Sequence, residues 1–220
     1  MLKNILQQIY PLAKHNVIIA DGLFPKNKYL KNLILTSNSI ICCDGAINKL
    51  IKHNVEPHYI IGDCDNLNPI IQSKFANKII KITEQNSNDL TKAINFAKKL
   101  KLDNIIILGA TGLREDHTIA NIALLADYIK LIKTVAIISD NGIFTAHFKN
   151  CQLNTIIGQQ VSFFSLNLNT FITCNDLKWK LDNYKFNSWN SGTLNQATSN
   201  FINIKATDTI IVYRAFEIKK

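Results

Sequence analysis

Short, unbroken apolar runs alternate with helical patterns over the first two thirds of the chain. Six runs are candidate strands, and none alternates as a half-exposed strand does: residues 17–20, 40–43, 59–61, 79–82, 105–108 and 135–138. Continuous apolar strands are typical of a sheet covered on both faces. Between them, apolar residues recur at helical spacing over residues 89–101 and 115–130. The alternation predicts a doubly wound, mostly parallel α/β sheet.

The pattern changes after about residue 140. Helical spacing fades, and three β-rich stretches, QQVSFFSL, NFINIKA and DTIIVYRAF, are separated by connections rich in Asn, Ser and Gly. We therefore predict two domains. An α/β domain covers residues 1–142, and a smaller all-β sandwich or barrel covers residues 143–220.

Composition and charge favour a folded globular protein without a nucleic-acid or membrane partner. Hydrophobic residues make up 47% of the chain, which is enough for a real core. The net charge of +9 is spread without a basic stripe interleaved with aromatic residues, so we expect no nucleic-acid partner. No apolar run reaches membrane-spanning length, so we also expect no membrane partner. Five cysteines without a CxxC pair, and no signal-peptide pattern, favour reduced thiols and a cytoplasmic location.

Four polar clusters each follow a predicted strand. Asp44-Gly45 follows IICC, GDCD follows YII, residues 85–89 follow IIKI after a short spacer, and GATGLREDH follows IIIL. In open α/β sheets, ligands bind outside the carboxyl ends of the strands. We therefore expect the four clusters to converge at one edge of the sheet.

Asp63 and Asp65 are separated by one residue. In extended backbone both carboxylates would point the same way and reach one hard cation, such as Mg²⁺. The segment is equally typical of an Asx-turn, and the residues alone leave both interpretations open. Asp44 and Asp89 could likewise be simple caps, since a carboxylate suits the start of a helix. Four aspartates in one cleft, however, require a multivalent cation, because like charges repel.

The segment GATGLREDH is glycine-rich and leads into a helix, but it lacks the Lys-Ser/Thr of a P-loop. Gly109, Thr111 and Gly112, placed before a helix N-terminus, form a candidate phosphate cradle. Arg114, one of only two arginines, could clamp phosphate oxygens through paired donors. The alternative is an ordinary βα turn with an exposed arginine. Acidic ligands, a phosphate loop and an arginine, without a covalent nucleophile, favour phosphoryl-type transfer.

His117 allows two interpretations. It is a candidate proton shuttle or orienting residue for a bound cofactor, or a helix-start histidine bonded to a carboxylate such as Asp116. The other histidines form no ligand pattern, so we expect no zinc site.

In this order, the clusters resemble the thiamine pyrophosphokinase family. The matching segments are DGAINKL at 44–50, GDCDN at 62–66, QNSNDLTKA at 85–93, GATGLREDHTIAN at 109–121, LKWKL at 177–181 and GTLN at 192–195. The resemblance implies that a pyrophosphoryl group passes from ATP to the hydroxyl of thiamine, giving thiamine diphosphate and AMP. It also implies a homodimer with the thiamine pocket between subunits.

The resemblance assigns roles by position. It implies a Mg²⁺ site, with Asp44 nearby, formed by Asp63, Asp65 and Asp89. It implies contacts to the nucleotide, its phosphates or the metal from Gln85, Arg114 and Asp116. It implies a thiamine pocket at Leu194 and Asn195.

The chain departs from the family pattern at several positions, which are Asn66, Asn86, Asn88, Leu113 and Leu194. Leu194 replaces a serine and removes a hydroxyl near the organic substrate. A pyrophosphokinase for a related heterocyclic alcohol, such as a hydroxymethylpterin, therefore stays open, as does a non-catalytic nucleotide-binding regulator. Trp179 and Trp189 could stack on the thiamine ring or belong to the core of the β domain.

Overall fold

The computed structural model describes residues 2–10, 12, 14–65 and 67–218. The chain divides into two units. An α/β unit covers residues 14–139, and a β unit combines residues 140–218 with the N-terminal segment that carries helix α1, Leu2–Ile9. No helix in the described part of the chain is long and apolar enough to cross a membrane.

The α/β unit is built on six parallel strands. They are β1 Asn16–Ile19, β2 Ile40–Cys43, β3 Tyr59–Gly62, β4 Ile79–Lys81, β5 Ile105–Leu108 and β6 Val135–Ile138. Their order across the sheet is β6-β5-β1-β2-β3-β4, and each neighbouring pair is parallel. Every residue of β1, β2, β5 and β6 is buried, as their continuous apolar sequences predict.

Helices connect these strands. They are α2 Lys28–Leu35, α3 Ile47–Lys52, α4 Pro69–Lys74, α5 Asp89–Lys99 and α6 Glu115–Tyr128. Side-chain caps fix where three of them begin, because the oxygens of Asn27, Asn68 and Asn88 accept hydrogen bonds from backbone N–H groups of the first turn. The predicted doubly wound parallel fold is confirmed.

The strand order reverses between β1 and β5. The chain moves outward from β1 through β2, β3 and β4, and then returns to place β5 and β6 on the other side of β1. A crevice at such a switch point is where open α/β sheets bind ligands. The carboxyl ends of β1 and β5 are therefore the first place to look for a site.

The β unit contains two antiparallel sheets. The first has the order β12-β9-β14-β7, from Gly192–Gln196, Gln159–Phe164, Thr209–Ile218 and Gly142–Phe148. The second has the order β11-β10-β13-β8, from Leu181–Lys185, Phe171–Cys174, Phe201–Ala206 and Cys151–Asn154. Side chains of both sheets share one core that includes Phe163, Val212, Ile172 and Ile204. The predicted all-β part is thus a two-sheet arrangement.

The N-terminal helix belongs to the β unit, whereas the sequence-based division placed it in the α/β domain. Helix α1 buries Ile5, Leu6 and Ile9. Arg214 of β14, only 2% exposed, donates from Nη1 to the carbonyl oxygens of Ile9 at 2.9 Å and Asn154 at 2.7 Å. The second of the two arginines therefore fixes the end of α1 and has no role in phosphate binding.

Candidate functional site

Asp44 links the carboxyl ends of two neighbouring strands. It begins a short 3₁₀ turn directly after β2, and its carboxylate accepts hydrogen bonds from the N–H of Gly45 at 2.6 Å and of Cys64 at 2.9 Å. Partial burial raises the pKa of this carboxyl group, and the negative charges of Asp89 and Asp63 raise it further, while the two hydrogen bonds act against them. Three of the four predicted aspartates therefore lie close enough to interact electrostatically.

Asp63 and Asp65 lie on a turn. Cys64 between them has a left-handed φ of 59°, and the N–H of Asp65 donates to Oδ1 of Asp63 at 3.2 Å. The extended geometry was therefore wrong, and the Asx-turn is what the chain adopts. The hydrogen bond from Asp65, followed by one from Gln85, lowers the pKa of Asp63. Asn66 lies outside the described residues.

Two lysines and one side-chain amide bind carboxylates at this edge of the sheet. Nζ of Lys81 lies 2.7 Å from Oδ1 of Asp65, and Nζ of the buried Lys92 lies 3.2 Å from Oδ1 of Asp89. Nε2 of Gln85 donates to Oδ2 of Asp63 at 3.3 Å. The sequence favoured a multivalent cation for the four aspartates together, and in the structure ammonium groups at the end of β4 and in α5 pair with two of them.

We call Asp44, Asp63, Asp65 and Asp89 the acidic edge. Among the residues that the structure describes, no three His, Cys, Asp or Glu side chains are grouped so that they could hold a metal ion. Mg²⁺ needs no such cage, because it is commonly bound by one or two carboxylates, several waters and substrate phosphates. The carboxylate oxygens of Asp63, Asp65 and Asp89 thus fit Mg²⁺ in donor chemistry.

The glycine loop, residues 109–114, follows β5. Gly109 and Gly112 have φ of 70° and 81°, in the left-handed region that favours glycine. The N–H of Gly112 donates to Oγ1 of Thr118 in α6 at 3.2 Å, and Thr111 is half-buried between the two glycines. A βα turn with two left-handed glycines beside a helix start suits a phosphate-binding loop.

Arg114 is the N-cap residue of α6, and its side chain is 71% exposed. Its Nε and Nη2 donate to the two carboxylate oxygens of Asp116 at 3.1 and 2.5 Å. The hydrogen bond from Arg114 lowers the pKa of Asp116 to about 2. In the structure the guanidinium fork is therefore occupied by Asp116. His117 is exposed in the same turn.

Asp21 and Asn121, which were not among the predicted site residues, contact residues next to the acidic edge, and Asn121 also contacts the glycine loop. Asp21 follows β1, and its carboxylate accepts from Nζ of Lys49 at 2.5 Å. The signal was present, because Asp21-Gly22 follows VIIA as Asp44-Gly45 follows IICC. Asn121 of α6 donates to the carbonyl of Ala110 at 2.9 Å and accepts from the cap residue Asn88 at 3.2 Å.

The residues assigned to the organic substrate lie in the β unit, on and beside β12. Leu194 is 77% exposed with φ of 63°. The amide of Asn195 is buried and makes three hydrogen bonds. It accepts from the N–H of Trp179 at 3.2 Å and of Gln196 at 2.9 Å, and it donates to the carbonyl of Trp179 at 2.7 Å. Trp179 is 55% exposed and Trp189 39% exposed, so neither belongs to the core.

Comparison with known proteins assigns both parts of the chain to one family. Residues 30–139 match the family model described as thiamin pyrophosphokinase, catalytic domain, and residues 142–213 match thiamin pyrophosphokinase, substrate-binding domain. Thiamin pyrophosphokinase 1 of Caenorhabditis elegans is 29% identical over 136 residues, which is 58% of this chain and 51% of that protein. Thiamine pyrophosphokinase 2 of Oryza sativa subsp. japonica is 23% identical over 156 residues, with 60% and 57% covered. The chain spans little more than half the length of these two relatives.

Solved structures share the fold. Thiamin pyrophosphokinase from Candida albicans superposes with a TM-score of 0.77 at 19% identity, covering 94% of this chain and 90% of that one. Thiamine pyrophosphokinase from Bacillus subtilis gives 0.76 at 20% identity, covering 93% and 100%. The two family models together span most of the 220 residues. The chain belongs to the thiamin pyrophosphokinase family.

Proposed function

We propose that this protein transfers a pyrophosphoryl group from ATP to the hydroxyl of thiamine, giving thiamine diphosphate and AMP. The observation that carries the proposal is the hydrogen bond from the N–H of Cys64 to Asp44, which joins the turns after β3 and β2 at the sheet edge where the glycine loop follows β5. An acidic edge beside a phosphate-binding turn suits a reaction that proceeds by positioning and charge neutralisation. The names of the relatives support the choice of substrates.

One or two carboxylates among Asp63, Asp65 and Asp89 would hold Mg²⁺ beside Asp44, together with waters and substrate phosphates, and the ion would neutralise polyphosphate charge. Lys81 and Lys92 leave their carboxylates free to bind it only if their ammonium groups shift to other acceptors, such as phosphate oxygens. The lysine–aspartate ion pairs of the acidic edge would therefore exchange partners when the metal and the polyphosphate bind.

The glycine loop would bind the phosphates. Gly109, Thr111 and Gly112 would approach them through the backbone, and Gln85 would approach from the acidic edge. Arg114 would exchange Asp116 for phosphate oxygens, since its two parallel donors fit either partner. Asp116 would hold the guanidinium in position before the phosphates enter. The hydroxyl of thiamine would attack the β-phosphorus in line with the departing AMP.

Thiamine would bind at the β unit, beside Leu194 and Asn195, in a pocket completed by a second subunit of a homodimer. Asn195 would shape this pocket through the backbone of Trp179, because its amide both accepts from the N–H of Trp179 and donates to the carbonyl of Trp179. The exposed faces of Leu194 and Trp179 would contact the rings. The five free cysteines are consistent with the reducing cytoplasm as its location.

The test is product analysis. The protein is incubated with ATP, Mg²⁺ and thiamine, and AMP and thiamine diphosphate are quantified by chromatography. Equal amounts of both products are expected. AMP formed with a hydroxymethylpterin and not with thiamine would assign a different alcohol, and nucleotide binding without turnover would assign a regulator.

The role of Arg114 is tested in the same assay. Arg114→Lys replaces the two-pronged donor by a point charge, so kcat/KM for ATP should fall by about 100-fold. The matched control is Lys130→Met, which removes an exposed ion pair with Asp127 on the far end of α6. Full activity of Arg114→Lys would place this arginine on the surface without a role.

A further inference from the structure

The turn that follows β1 lies at the switch point of the sheet and is bonded to the glycine loop. The N–H of Gly22 donates to the carbonyl of Gly109 at 2.5 Å, and the N–H of Leu23 donates to the carbonyl of Thr111 at 2.8 Å. A Cβ on Gly22 would lie 2.6 Å from the oxygen of Thr111, so the two backbones approach as closely as glycine permits. The position of the glycine loop therefore depends on the β1 turn.

The same turn touches the acidic edge on its other side. A Cβ on Gly45 would lie 2.5 Å from Oδ2 of Asp21, so the Asp21 carboxylate lies directly against the turn that Asp44 begins. Burial raises the pKa of the thiols of Cys42 and Cys43 at the end of β2, and nearby negative charges, including Asp21, raise it further. The β1 turn thus contacts both the Asp44 turn and the glycine loop.

Lys49 fixes this turn with all three of its ammonium donors. Nζ lies 2.5 Å from Oδ1 of Asp21, 2.6 Å from the carbonyl of Asp21 and 2.7 Å from the carbonyl of Gly22. Its side chain is 26% exposed, which reduces competition from water. Lys49 lies in α3, which directly follows the 3₁₀ turn that begins at Asp44. The residue that holds the β1 turn is therefore attached to the acidic edge through the backbone.

We propose that Lys49 is a positioning residue that sets the spacing between the acidic edge and the glycine loop, and thereby the register in which ATP binds between them. The proposal rests on the function proposed above for these two parts. Lys49 acts through the β1 turn and needs no contact with substrate. Its work is to hold Asp21 and Gly22 so that Gly109 and Thr111 stay in place.

Charge and position can be separated by substitution. Lys49→Met removes the clamp and leaves the Asp21 carboxylate unbalanced beside Asp44. The double variant Lys49→Met/Asp21→Asn removes the clamp without that excess charge. If Lys49 acts by position, both variants show the same defect. If it acts only by balancing charge, the double variant recovers.

The matched control is Lys78→Met. Nζ of Lys78 lies 2.8 Å from Oε1 of Glu56 and 3.0 Å from the carbonyl of Pro57, which is the same kind of lysine clamp. Lys78 immediately precedes β4, at the amino end of a strand and away from the acidic edge. Loss of this clamp should leave the glycine loop and its ligands unaffected.

The experiment combines hydrogen exchange with nucleotide binding on the full chain. In Lys49→Met and in the double variant, the Gly22 and Leu23 amides should exchange about tenfold faster, because their acceptors lie on the glycine loop. The Kd for ATP with Mg²⁺, measured by calorimetry, should rise about tenfold, while KM for thiamine stays unchanged. Lys78→Met should match the wild type in all three measurements.

Three results would overturn the proposal: unchanged exchange at Gly22 and Leu23, recovery of ATP affinity in the double variant, or an equal defect in Lys78→Met. If Lys49→Met does not fold, Asp21→Asn replaces it. That variant weakens one of the three bonds and should give a two- to threefold change in exchange and in Kd. If the wild-type protein makes no thiamine diphosphate while the variants show the expected changes in exchange, the proposed function is refuted and the positioning role of Lys49 is supported.

Discussion

Gly109→Ala is the substitution for which the structure gives the clearest magnitude. Gly109 has φ of 70°, and a Cβ there would lie 2.5 Å from the carbonyl oxygen of Ala20. The left-handed backbone costs an alanine about 1 kcal/mol. Overlap with a backbone oxygen of a buried strand end adds about 2 kcal/mol, since neither backbone can move without breaking sheet hydrogen bonds. We expect the α/β unit to lose about 3 kcal/mol of stability.

Gly112→Ala is the matched control. Gly112 has φ of 81°, so an alanine there experiences the same backbone strain. Its Cβ would meet the side chain of Leu23 at 3.1 Å, and that side chain is 45% exposed and able to turn away. We expect a loss of about 1 kcal/mol, so the difference between the two variants isolates the backbone contact.

The assay is urea unfolding followed by circular dichroism at 222 nm. Both tryptophans lie in the β unit, so their fluorescence would report the wrong part of the chain. Of the six α-helices in the described part of the chain, five lie in the α/β unit, so the helical signal reports on that unit. Equal losses for the two variants would show that the glycine loop relaxes freely. That result would refute the argument that close backbone contacts fix its position.

Three further predictions concern charge. Asp63→Asn should cut turnover by about 100-fold and weaken the dependence on Mg²⁺, while circular dichroism shows an intact fold; unchanged activity would remove Asp63 from the metal site. Lys81→Met should tighten Mg²⁺ binding in calorimetry by about two- to fivefold, because no ammonium group then competes for Asp65; weaker binding would refute that competition. Burial lowers the pKa of His147 to about 4, so the unfolded chain binds a proton that the folded β unit excludes. Stability measured by tryptophan fluorescence should therefore fall as the pH drops from about 6.5 to about 4, and His147→Gln should flatten that slope by about one proton; an unchanged slope would contradict the assignment.

Much of the α/β unit follows from local sequence. The strands β2, β5 and β6 begin and end at the predicted residues, because each is a buried apolar run bounded by polar or turn-forming residues. Helices α5 and α6 begin at Asp89 and Glu115 as predicted, and each ends two residues early. The order of the strands in the sheet could not be predicted from local sequence, because it depends on contacts between residues far apart in the chain.

The sequence points to candidate site residues but not to the partners that their side chains bind in the structure. Position after a strand identifies Asp44, Asp63 and the glycine loop, because strand ends share one edge of a parallel sheet. The partners Lys81 and Lys49 come from other strands and helices, and no spacing rule connects them to their carboxylates. The turn at Cys64 was open to prediction, but the alternative extended geometry had equal support in the sequence.

In the proposed reaction, the β- and γ-phosphates of ATP move together to thiamine. The most direct measurement uses two ATP samples, one labelled at the β-phosphorus and one at the γ-phosphorus, each incubated with the protein, Mg²⁺ and thiamine. If a pyrophosphoryl group is transferred, both labels appear in thiamine diphosphate and AMP forms in equal amount. Transfer of the γ-label alone, with ADP as the second product, would contradict the proposed reaction.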